Sequence, residues 1–162
     1  MAGKTNWLSD RMLSLMRGAT VTGHTETWVN LFKTLPTGDT DAGVAAAEEW
    51  TGGDGSVGTG GTGRIRVYPS QQVDKTIPYW SGTQTSGNLR FVSNEATISW
   101  TTSDIGGGAS WANQTVRGIG VWNSDLAGTN DLLYWEAFDD NRLIAVDEEF
   151  ILPVNRFKVR ED

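Results

Sequence analysis

From residue 91 onward the chain is a succession of short apolar stretches broken by turn residues, recurring at about ten-residue intervals. FVSNEATISW (91–100), VRGIGVWN (116–123), LLYWEAF (132–138), AVDEEFILP (145–153) and NRFKVRED (155–162) are the stretches. SDIGGGASW (103–111), DLAGTND (125–131) and DDNR (139–142) are the punctuation. Strands this short, in such number, pair as antiparallel hairpins and bury one face each, which predicts a β-sandwich of jelly-roll type. In the last stretch Phe157 and Val159 share one face and Arg156, Lys158 and Arg160 the other. The glycines of RGIG mark a strand approached closely by a neighbouring backbone.

The N-terminal half begins differently. TNWLSDRMLSLMR (5–17) predicts a helix, capped by Thr5 or Asn6 and ended by Gly18. Leu8, Met12, Leu15 and Met16 fall on one helical face. That stripe either covers one end of the domain's own core or docks onto another chain. TWVNLFKTLP (27–36) then reads as a strand closed by a Pro-Thr-Gly-Asp turn, and GVAAAEEW (43–50) as a helical turn or loop. RIRVYPS (64–70) is a strand with Ile65 and Val67 on one face and Arg64, Arg66 and Tyr68 on the other. Residues 70–90 read mostly as loop. With 162 residues the chain suits one domain, 1–162, large enough to bury a substantial core.

Gly58, Gly60 and Gly63 spell G-x-G-x-x-G within GTGGTG. A dinucleotide site needs a strand before such glycines and a helix after them. Here RIRVYPS follows, and Pro69 opposes a helix start. The Gly-Lys-Ser/Thr of a phosphate loop is absent, and the GGDG at 52–55 lacks the tandem repetition of calcium-binding nonapeptides. Residues 51–63 therefore read as a flexible glycine-rich loop, and no cofactor is expected.

Other chemistries lack their parts. His24 is the single histidine and cysteine is absent, so neither a metal cluster nor a thiol or histidine-based nucleophile is expected. The acidic neighbours Glu48-Glu49, Asp139-Asp140 and Asp147-Glu148-Glu149 could suggest a glycosidase. Adjacent residues on a strand point to opposite faces, however, and Asp is an ordinary turn residue. The chain is expected not to be an enzyme. A net charge of −7 argues against nucleic acid and anionic membranes as partners. No run approaches the roughly 20 apolar residues of a membrane helix, and no signal peptide is visible, so synthesis in a cytoplasm is expected.

Eight tryptophans remain, most of them expected in the core. Trp50 and Trp80 flank loops and are interface candidates, since aromatic residues concentrate at binding hot spots. Trp7 and Leu8 of the N-terminal helix, with Gly58, Gly60 and Gly63 of the loop, complete the candidate interface.

The order of segments resembles a known family. TWVNLFKTLPT, GTGRIRVYPS, ATISW and RGIGVWNSDLAGTNDLLYWEAFDDNRLIAVDEEFILPVNRFKV follow the strand order of small tailed-phage virion proteins often labelled tail fiber proteins. Gly118, Ile119, Val121, Trp122, Leu132, Leu133, Tyr134, Trp135 and Phe150 occupy matching places. Asp147-Glu148-Glu149 departs from that pattern, which has a Gly-Asp turn there, and the glycine loop is enlarged. The resemblance implies a non-enzymatic β-sandwich on a virus particle. Its small size and lack of a repetitive shaft suggest capsid decoration: a cement protein, commonly trimeric, that binds the major capsid protein and stabilises the assembled head. A tail fiber or appendage that takes part in host attachment is the alternative.

Overall fold

The structure is a computed structural model describing residues 3–19, 27–49, 64–68, 78–87, 89–101, 114–123, 132–145 and 148–161. The elements run β1 (Gly3–Lys4), α1 (Asn6–Met16), β2 (Thr27–Thr34), α2 (Asp41–Ala45), β3 (Glu48–Glu49), β4 (Ile65–Val67), β5 (Gln84–Ser86), β6 (Leu89–Ser93), β7 (Ile98–Thr101), β8 (Gln114–Trp122), β9 (Leu132–Ile144), β10 (Glu149–Leu152) and β11 (Lys158–Glu161). The fold is mainly β, and every ladder between named strands is antiparallel. It is the expected β-sandwich.

One layer is a six-stranded sheet in the order β1-β9-β8-β2-β3, with β4 also pairing along the β3 side of β2. The other layer is a ribbon in two pieces, β10-β7 and β11-β6-β5. Val29, Leu31, Ile119 and Val121 of the large sheet pack against Ile98, Trp100 and Phe150 of the ribbon to form the main core. Trp28, Phe32, Trp122 and Leu132 make a second cluster, joined by Leu35 and by Val44 of α2. Strand β2 feeds both: Val29 and Leu31 serve the first cluster, and Trp28 and Phe32 the second. That double burial explains why its apolar residues stand in adjacent pairs, Trp28-Val29 and Leu31-Phe32, rather than in strict alternation.

The glycines of β8 are required by space. A Cβ on Gly118 would lie 2.4 Å from the Glu136 carbonyl oxygen, and one on Gly120 would lie 2.5 Å from the Trp122 ring. The close approach read from RGIG is present.

Two strand expectations are corrected. FVSNEATISW is not one strand but β6 and β7, in separate sheets. The register explains the break. Residue numbers of partners sum to 250 along β7–β10 (Ile98 with Leu152) and to 251 along β6–β11 (Ser93 with Lys158), so one extra residue enters between them. Buried Asn94 sews the gap. Its Nδ2 donates to the carbonyls of Ala96 at 2.8 Å and Pro153 at 3.0 Å, and its Oδ1 accepts from the Phe157 amide at 3.0 Å. Asn155 opposite takes a left-handed φ of 62°, a conformation Asn tolerates.

Likewise DDNR is not a turn that ends a strand; β9 runs unbroken through it. The turn residues show themselves as a bulge instead. Gly118 pairs with Ala137 and Val116 with Arg142, so Phe138, Asp139, Asp140 and Asn141 stand opposite the single residue Arg117.

Helix α1 forms where expected. Its end is a Schellman cap: Ala19 N–H reaches Ser14 O and Gly18 N–H reaches Leu15 O, both at 3.0 Å, with Gly18 at φ 82°. Its start is tied to the large sheet by β1 and by buried Thr5, whose amide donates to Leu133 O at 3.2 Å. The segment 43–50 contains the end of α2 and all of β3.

Candidate functional site

The nominated interface residues separate. Trp80 is a core residue, 9% exposed, correcting its reading as a surface anchor. Its indole Nε1 donates to Thr27 Oγ1 at 2.6 Å, and its ring packs at 5.7 Å from Phe157. The indole dipole thus finds a partner inside the sandwich, as a buried tryptophan needs. Trp7 and Leu8 lie in α1, their side chains outside the described residues. Trp50, Gly58, Gly60 and Gly63, and with them His24, also lie outside the described residues.

The described residues of the helix stripe do not cover the core. Met12 is 41% exposed, Leu15 60% and Met16 83%, with Leu13 beside them at 56%. The structure therefore removes the own-core use for these three stripe residues. A helix pinned at its first turn, capped at its last and apolar on its free side is a ready contact surface.

The first acidic pair, Glu48-Glu49, is divided between two cations. Glu48 and Glu49 point apart, as adjacent strand residues must. Glu48 reaches Lys33, and Glu49 reaches Arg64. The Lys33 hydrogen bond, with its positive charge, holds the Glu48 carboxyl below its ordinary value. Arg64 is fully buried, and its guanidinium lies 4.6 Å from the Trp122 ring centre. The alternation of RIRVYPS placed Arg64 away from Val67 correctly, but that face is itself interior at Arg64. Among the described residues no group of three or more His, Cys, Asp or Glu could hold a metal ion.

Sequence reasoning did not find a sizeable cleft among the described residues. It has a volume of about 510 Å³ and lies between β9 and the β6–β11 piece of the ribbon. Its apolar surface comes from Ile119, Phe91, Phe138 and Phe157. Glu136 and Asp139 line it from β9, and Arg156, Lys158 and Arg160 from β11 and the turn before it. The bulge of β9 helps form it by carrying Phe138 and Asp139 off the regular ladder. Lys158 Nζ sits 4.9 Å from the centre of the Phe91 ring. The signal in the sequence was the alternation of cations along NRFKVR, which reads equally as a solvated strand face. Only the tertiary approach of β9 turns that face into one wall of a cleft.

No curated protein matches the chain. The profile of one family, described as Podophage GP4 fiber I protein gp80, matches residues 3–160. That span takes in β1, α1, both layers of the sandwich and nearly all of β11. On a match of that extent, the chain belongs to the podophage GP4 fiber I protein gp80 family and is a phage virion protein of fiber type.

Proposed function

We propose that the protein is a non-enzymatic structural module of a phage fiber or tail appendage that takes part in host attachment. The observation that carries this reading is the fiber-family match across residues 3–160. The fold supports it in two ways. The carboxylates that might have served a hydrolase, Glu48 and Glu49, are engaged in ion pairs with Lys33 and Arg64. The exposed Met12, Leu13, Leu15 and Met16 give α1 an apolar face suited to seating the module on another virion protein.

Capsid decoration is the second reading, and the same helix favours it. A compact acidic domain with one apolar helix can seat on the major capsid protein and stabilise the assembled head by binding only that state. In either case copies of the chain would act together, a trimer being the expected form, with weak contacts adding through avidity.

Gold-labelled antibody imaging of intact virions separates the two. Label at the tail or its appendages supports the fiber reading. Label spread over the heads overturns it in favour of decoration.

A further inference from the structure

The cleft between β9 and β11 holds charges of both signs. Glu48 and Glu49 are each met by a cation, Lys33 and Arg64. Glu136, Asp139, Arg156 and Lys158 line the cleft, and among the described residues none of them forms an ion pair. Glu136 is the most unusual. It pairs across the ladder with Ile119, a core residue, and is half-buried at the cleft. Half-buried beside Ile119 and Phe157, that carboxylate keeps acceptor capacity facing the cleft.

The two walls differ in sign. Carboxylates stand on the β9 side and cations on the β11 side, with the phenyl groups of Phe91 and Phe138 between. A simple anion would satisfy the cations and be repelled by Glu136 and Asp139. A neutral sugar would satisfy the carboxylates through its hydroxyls but bring no negative charge to Arg156 and Lys158 on the β11 side. We propose that the cleft binds an acidic saccharide, one that carries a carboxylate or phosphate on a polyhydroxylated ring. Ring hydroxyls donate to Glu136 and Asp139. The acidic group accepts charge-assisted hydrogen bonds from Arg156 and Lys158. The apolar face of the ring lies on Phe91 or Phe138. The cleft volume of about 510 Å³ is that of an ordinary small-molecule site. The binding site stands on this chain's own geometry; only its purpose, contact with a host surface, rests on the fiber reading.

The test is calorimetric titration of the full chain with three probes: trigalacturonic acid, glucose 6-phosphate and neutral maltotriose. At least one acidic probe is expected to bind roughly tenfold or more tightly than maltotriose. Whether it is the carboxylate or the phosphate probe identifies the acidic group. Lys158→Gln and Glu136→Gln should each weaken that binding roughly tenfold. Arg66→Gln, outside the cleft, should leave it unchanged. Should Glu136→Gln fail to fold, Asp139→Asn on the bulge replaces it. The proposal is overturned by no binding of either acidic probe at millimolar concentration, by equal binding of maltotriose, or by binding indifferent to the cleft substitutions. Failure here with label at the tail leaves the fiber reading standing. Binding here with label on the heads keeps the site and removes its host-attachment purpose.

Discussion

Arg64 and Glu49 close the gap between β4 and β3, two short strands that share one side of β2 without pairing with each other. The guanidinium engages the carboxylate twice, Nε to Oε2 at 2.8 Å and Nη2 to Oε1 at 2.5 Å. Asn30, between the two strands on β2, adds its Nδ2 to Glu49 Oε2 at 3.1 Å. The pair thus bridges a break in the ladder where backbone hydrogen bonding between β3 and β4 is absent, and Trp122 lies against its cationic half.

The two halves of the pair are unequally exposed. The Arg64 side chain is 1% exposed and the Glu49 side chain 19%. Glu49→Gln leaves a buried cation without its carboxylate and is expected to lower stability by about 3–5 kcal/mol. Arg64→Met leaves an acid near solvent that water can reach, and it should lose less. Urea unfolding of both variants checks the order. Equal losses would mean that burial of the cation does not set the energy.

Asn94 concentrates the stability of the ribbon in one side chain. Asn94→Ala strands the buried Ala96 carbonyl and the part-buried Phe157 amide and Pro153 carbonyl, a buried unsatisfied group costing about 1–3 kcal/mol. A loss of about 2–4 kcal/mol is expected on that basis. Asn94→Asp keeps an acceptor for the Phe157 amide, but near neutral pH it turns a buried anion onto the Ala96 and Pro153 carbonyls and should lose at least as much. Hydrogen exchange at Phe157 gives the local readout: protection should collapse in the alanine variant.

Much of this architecture was legible because periodicity is local. Phe157 and Val159 alternate with charged neighbours, and Gly18 follows an apolar helical run, so β11 and α1 could be read from their own residues. The break at Asn94 could not, because it arises from a one-residue mismatch with residues about sixty positions away. DDNR carries turn chemistry and does bend the chain, but β8 holds both of its flanks and turns a hairpin end into a bulge. The cleft was illegible for the same reason. Its walls are ordinary strand faces until β9 and β11 meet.

The two glycines of β8 should not be equivalent. A Cβ at Gly118 meets backbone, the Glu136 carbonyl oxygen at 2.4 Å. At Gly120 it meets the buried rings of Trp122 and Phe32, at 2.5 and 2.8 Å. Overpacking a core costs about 1–3 kcal/mol when neighbours can shift. Gly120→Ala is expected within that range, and Gly118→Ala at its top or beyond, since moving β9 disturbs a ladder. Thermal unfolding of the two alanine variants tests the ranking.

The exposed face of α1 should matter for assembly and not for folding. Leu13→Glu with Met16→Glu alters two side chains already 56% and 83% exposed. Surface changes of this kind usually stay within about 0.5 kcal/mol each. The double variant should therefore unfold at nearly the wild-type midpoint, yet fail to enter virions when it is the only copy supplied. Normal incorporation would remove α1 as the seat.

Glu48 offers a pH test of small size. Its hydrogen bond to Lys33 and the attendant charge attraction lower its folded-state value below the ordinary 4.5. A lowered acid stabilises the fold above the unfolded-state value and loses that contribution as pH falls through the folded-state one. With the Glu48 side chain 62% exposed, solvent screening limits the pair to well under about 1 kcal/mol. Glu48→Gln should therefore be slightly less stable than wild type at pH 7, and the difference should vanish once pH falls below the carboxylate range. Urea midpoints measured at both ends of that range decide it, and a difference that persists in acid would assign the effect to the hydrogen bonds of the side chain rather than to its charge.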